Sequence, residues 1–143
     1  MRRAAALWLL LALFTHLAVA EEATRRFPVD QRFSVAYLNG KDAGAKLLSL
    51  TIRRDQNGKG YRGGGFAGCN TWTARIEIDG DRLAVKEVGT TRKFCHGERM
   101  RTENEFLTTL RSLTRWHMDG PSLVLTGGGT GLLLVPSARA VRT

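Results

Sequence analysis

A chain of 143 residues, 43% hydrophobic and 24% charged, is long enough to bury one core and too short for a multidomain enzyme. Its 22 Lys and Arg outnumber its 13 Asp and Glu, for a formal net charge of +9. These cations are scattered and no nucleic-acid motif accompanies them, so nucleic-acid binding is not expected. The charge reads either as a solvated surface or as a means of meeting an anionic envelope component or an acidic envelope protein.

The first twenty residues have the three parts of a secretory signal. Arg2 and Arg3 precede an apolar run from Ala4 to Phe14, and Ala18-Val19-Ala20 offers small residues to a signal peptidase. Residues 1–20 are therefore expected to be cleaved, taking two arginines and no acid and lowering the charge from +9 to +7. The apolar run is shorter than the roughly 20 residues a bilayer span needs, and no cysteine stands at the cleavage point to carry a lipid. The expected product is an exported, periplasmic or secreted, soluble protein that does not span a membrane once processed.

Residues 21–31 contain Pro28 and few apolar side chains, and read as a loose lead-in to a domain over 32–136. Arg32 to Leu38 is the first predicted strand, with Phe33, Val35 and Tyr37 alternating before Asn39-Gly40. Lys46 to Arg53 is the second, placing Leu48, Leu50 and Ile52 on one face. A turn-rich link from Asp55 to Gly60 leads to a glycine-weakened strand from Tyr61 to Phe66. Thr71 to Ile78 alternates strictly, with Trp72, Ala74, Ile76 and Ile78 on one face. Asp79-Gly80-Asp81 then turns the chain, and Leu83 and Val85 resume the pattern: a β-hairpin.

Gly97 to Thr114 carries the one helical period. Met100, Glu103, Leu107, Leu110 and Leu113 share a face with Phe106 beside them, while Arg99, Arg101, Asn104, Thr108 and Arg111 face away. Short strands are predicted from Arg115 to Met118, Ser122 to Leu125 and Leu132 to Val135. The polar, basic residues 137–143 read as a disordered tail.

Several of these residues fall in a recognisable order. Gly68-Cys69-Asn70-Thr71-Trp72, then Thr90-Thr91-Arg92 ahead of Cys95, then Met100, Glu103, Phe106, Leu107 and Leu110 on the helix resemble the META domain, also called HslJ-like, family. Trp72 stands where that family more often has phenylalanine, and Ala74 where glycine is common. The resemblance implies an α+β fold: a small curved, meander-like antiparallel sheet of about seven or eight short strands with one helix packed on it. It further implies an exported or membrane-tethered protein linked to stress or antibiotic tolerance. No catalytic residue, cofactor or metal ligand carries over from it.

The candidate sites have competing readings. Gly63-x-Gly65-x-x-Gly68 satisfies the dinucleotide pattern, but a strand follows where a helix N-terminus is required. Cys69 and Cys95, in an oxidising compartment, are expected to form a disulfide. The alternatives are a metal site with His96 and His117 or a nucleophilic thiol, although the spacing matches no zinc motif. Asn70 is expected to stabilise its own turn. Glu103, on the apolar stripe, needs partners, for which Thr90, Thr91 and Arg92 are the candidates. Trp72 and Phe66 are expected in the core. The expected function is that of a non-enzymatic envelope module that binds or supports a partner under stress, with a thiol- or metal-dependent enzyme using Cys69 and Cys95 as the alternative.

Overall fold

The computed structural model describes residues 26–137. The signal segment 1–20 and the tail from 138 lie outside the described residues. Nine strands form one antiparallel sheet: β1 (Arg32–Leu38), β2 (Lys41–Asp42), β3 (Ser49–Arg54), β4 (Tyr61–Phe66), β5 (Thr71–Asp79), β6 (Arg82–Thr90), β7 (Arg115–Asp119), β8 (Ser122–Gly127) and β9 (Thr130–Pro136). Among the described residues the one α-helix, α1 (Glu98–Ser112), lies between β6 and β7 in the chain. This is the expected α+β architecture, with two differences in the strands. The second predicted strand begins later, at Ser49, because 44–46 form a 3-10 turn, closed by Leu47 in a left-handed conformation (φ 59°). The two-residue β2 has no periodicity by which it could be foreseen.

The sheet also closes on itself. β1 pairs with β3 and β2 on one edge and with β9 on the other. The ring is thinnest between β6 and β7, which share one register pair, Arg82 with Arg115. There Leu83 N donates to Thr114 O at 2.9 Å and Trp116 N to Asp81 O at 3.0 Å. Beyond this join the strands diverge, and α1 fills the wedge against β6, β8 and β9.

Alternation explains which side chains enter the ring. Phe33 and Val35 of β1, Leu50 and Ile52 of β3, Trp72, Ala74 and Ile76 of β5, Leu123 and Leu125 of β8, and Leu132 and Leu134 of β9 are all buried. Phe106 and Leu110 of α1 and Leu113 just beyond its end complete the core, with Phe106 meeting Trp72 edge-on at 6.0 Å. Trp72 has its indole N–H satisfied by Ser49 O at 3.1 Å. Gly65 allows this crossing: a Cβ there would meet Ser49 O at 2.0 Å, and the neighbouring Phe66 N bonds Ser49 Oγ at 3.0 Å.

The lead-in is anchored rather than loose from residue 27. Phe27 is buried and meets Trp116 edge-on at 5.0 Å, and Asp30 N donates to Ile52 O at 2.8 Å. One aromatic in a polar segment was too little signal to suggest this.

Candidate functional site

The residues singled out in the sequence converge on a polar clasp between the β4–β5 connection, the segment after β6 and the first turns of α1. Gly68 takes φ +100°, a conformation L side chains rarely adopt, and its carbonyl accepts Arg99 Nε at 3.0 Å. Cys69 and Cys95 are joined in a disulfide with Cα atoms 6.0 Å apart. Asn70, 2% exposed, sits at the centre. Its backbone N donates to Glu103 Oε2 at 2.6 Å and its Nδ2 to Glu103 Oε1 at 3.0 Å. The same Nδ2 donates to Lys93 O at 3.1 Å, while Asn70 Oδ1 accepts Lys93 N at 2.7 Å and Thr91 Oγ1 at 2.8 Å.

This corrects two expectations. Glu103 is buried, but it bonds Asn70, not Thr90, Thr91 or Arg92. Asn70 does not merely stabilise its own turn: it joins helix to sheet, with its amide facing Glu103 on one side and the backbone of Lys93 on the other. Thr90 closes β6 opposite Trp72, and Arg92 is exposed. Leu107 and Leu110 are buried as the helical stripe required, whereas Met100 is half-exposed at the helix start. Phe66 is half-buried instead of core. His96 is exposed, edge-on to the exposed Phe94 at 4.9 Å, and His117 is exposed on β7. Among the described residues no group of three or more His, Cys, Asp or Glu is placed to hold a metal.

A second polar clasp escaped the sequence reading. Asn39, seen there only as part of a turn, donates from Nδ2 to Thr109 Oγ1 at 3.0 Å and Glu105 Oε1 at 3.2 Å. Its Oδ1 accepts Gly131 N at 3.0 Å. It ties the end of β1 to both α1 and the start of β9.

The remaining distinctive feature is an open groove of about 870 Å³ on the outer face of β1, β3, β4 and β5. Register determines what lines it. Arg53 of β3 lies directly opposite Arg62 of β4, which lies opposite Arg75 of β5, itself opposite Lys86 of β6. The next outward row holds Arg32, Thr51, Gly64 and Thr73. Arg75 and Lys86 are neutralised locally: Arg75 Nη2 lies 3.2 Å from Glu87 and 3.7 Å from Glu77, and Lys86 Nζ 2.6 Å from Glu77. The Lys86 hydrogen bond, helped by the charges of Lys86 and Arg75, holds the Glu77 carboxyl below its ordinary range. Among the described residues no carboxylate comes within 4.0 Å of Arg32, Arg53 or Arg62. The signal for this pair was present in the sequence. A hairpin closed by residues 55–60 sets Arg54 opposite Tyr61, and so Arg53 opposite Arg62.

The META domain family model matches residues 27–139. The chain belongs to the META domain family. The match takes in all nine strands and the helix, and its first residue, Phe27, is the first buried residue among those described. Two solution structures share the fold. One, of a protein from Burkholderia xenovorans, has a TM-score of 0.63 at 20% identity, covering 78% of this chain and 84% of that one. The other has a TM-score of 0.57 at 16% identity, covering 73% and 87%. No curated protein matches the chain. In this META domain the motif residues around Asn70 and Glu103 have their polar groups engaged in joining helix to sheet, and no buried side-chain N or O among the described residues lacks a partner. The described residues contain no helix long and apolar enough to cross a membrane.

Proposed function

We propose that the processed chain is an exported, non-enzymatic META domain that binds anionic envelope material through the outer groove, in a role connected with envelope stress. The observation that carries this reading is the Arg53–Arg62 pair. Two like charges set directly opposite on neighbouring strands destabilise a sheet, and no carboxylate among the described residues lies within 4.0 Å of either, although Asp55 also lines the groove. An anionic ligand would offset them. The Cys69–Cys95 bridge suits an oxidising compartment, and while it is intact neither sulfur is available as nucleophile or metal ligand.

The test is retention of the processed protein on immobilised envelope extract across a salt series. Charge-driven binding weakens as the screening length shortens, from about 10 Å at 0.1 M to about 3 Å at 1 M. Retention should therefore fall steeply over that range. Tight retention that is indifferent to salt would defeat the proposal and direct attention to an apolar contact such as exposed Phe94.

A further inference from the structure

We infer that the groove across β1, β3, β4 and β5 is a binding site for a linear acidic glycan, with carboxylates held by Arg53 and Arg62 at one end and by Arg32 at the other. This rests on the proposed binding function and names the ligand class for it.

The geometry narrows the ligand in three steps. First, the cations form two separate positions. Arg32 lies in the row of Thr51 and Gly64, one strand and two residues from Arg53 and two strands and two residues from Arg62. At about 4.8 Å between strands and about 3.4 Å per residue, Arg32 is about 8 Å from Arg53 and about 12 Å from Arg62 along the sheet. Cations spread over this distance suit an extended chain carrying repeated charges better than a single compact anion. The planar forks of Arg53 and Arg62 suit carboxylates, which they bond in bidentate fashion.

Second, the surface between the cations is flat and hydroxylated. Gly64 stands between Thr51 and Thr73 in the same outward row, so no side chain rises between the two threonines. Their hydroxyls can donate to and accept from sugar hydroxyls, and half-buried Phe66 offers part of an aromatic face at the end of β4.

Third, the other extended ligands fit poorly. A peptide adding itself as a strand needs an unpaired edge, but β3, β4 and β5 are paired on both sides. A lipid needs an apolar slot for its chain, and apart from half-buried Phe66 the outward residues here are polar, charged or glycine.

The experiment is calorimetric titration of the processed protein with hexamannuronate, alongside neutral mannohexaose, poly-L-glutamate and polyphosphate. Hexamannuronate should bind and mannohexaose should not. Arg53→Gln with Arg62→Gln should weaken hexamannuronate by about tenfold or more. Arg101→Gln with Arg111→Gln, on the exposed face of α1, removes the same charge and should change affinity by no more than about twofold. Thr51→Val with Thr73→Val should weaken hexamannuronate but leave poly-L-glutamate unaffected, and circular dichroism verifies that each variant is folded. Equal losses from the two arginine pairs would overturn the groove assignment while leaving salt-sensitive envelope binding intact. Tighter binding of polyphosphate or poly-L-glutamate than of hexamannuronate would overturn the glycan assignment. Failure to bind hexamannuronate while retention on envelope extract persists would sink the inference alone; loss of both would sink the proposed function with it.

Discussion

Glu103→Gln is the sharpest perturbation of the clasp, because it changes one acceptor atom to a donor and almost no volume. Glu103 is 4% exposed, and both carboxylate oxygens receive N–H groups from Asn70, at 2.6 and 3.0 Å. In the variant one of these donors faces an amide NH2. The hydrogen bond to a charged group contributes about 1.5–3 kcal/mol, and stranding a buried donor costs about 1–3 kcal/mol. These overlap because removing the acceptor is what strands the donor, so the expected loss is about 2–3 kcal/mol. A domain of this kind has about 5–15 kcal/mol in total. With a urea m-value near 2 kcal/mol/M, the unfolding midpoint should fall by about 1–1.5 M with the slope unchanged. Glu103→Ala strands both donors and should cost more. Because Asn70 carries the partner groups, Asn70→Ala combined with Glu103→Gln should cost less than the sum of the two single changes, by about 0.5–3 kcal/mol. An unchanged midpoint for Glu103→Gln, or strict additivity in the cycle, would refute the account of the clasp.

Reduction and alkylation of Cys69 and Cys95, whose bridge spans 26 positions, should lower stability by about 3–4 kcal/mol on the chain-entropy estimate. The check is the urea midpoint of the alkylated protein against the oxidised one, and equal midpoints would contradict it. Leu110, 1% exposed in the core, should lose about 2–5 kcal/mol on replacement by alanine. Half-exposed Met100 should lose less than about 1 kcal/mol, so a larger effect at 100 than at 110 in matched denaturation curves would misplace the helix.

What the sequence made legible was local. The β5–β6 hairpin follows from strict alternation on both sides of Asp79-Gly80-Asp81, and α1 follows from the spacing of Glu103, Phe106, Leu107 and Leu110. Bonds across long separations left no such trace. The burial of Glu103 could be read from its place on the apolar stripe, but its partner, 33 residues away, could not. Several polar residues were plausible there, and only the path of β5 decides among them. Asn39 is harder still: its contact with Thr109 crosses 70 residues, and Asn39-Gly40 is fully explained locally as a turn. The arginine groove lies between these extremes. Arg53 opposite Arg62 follows from one hairpin, but adding Arg32 to the same face requires knowing that β1 neighbours β3. The closure of β1 on β9 depended on strands almost a domain apart.

That closure has a consequence for where the chain can be opened. Because β1 and β9 run antiparallel, Ser137 N reaches back to Arg32 O at 2.9 Å, and the Ser34 and Ser137 hydroxyls meet at 2.7 Å. The first and last strands of the barrel thus meet at one seam, at the Arg32 end of the groove, while the lead-in before Arg32 runs on to bury Phe27 against Trp116. A cut within an exposed hairpin such as 55–60, with the old ends joined by a short linker, would give a permuted chain that still closes the ring.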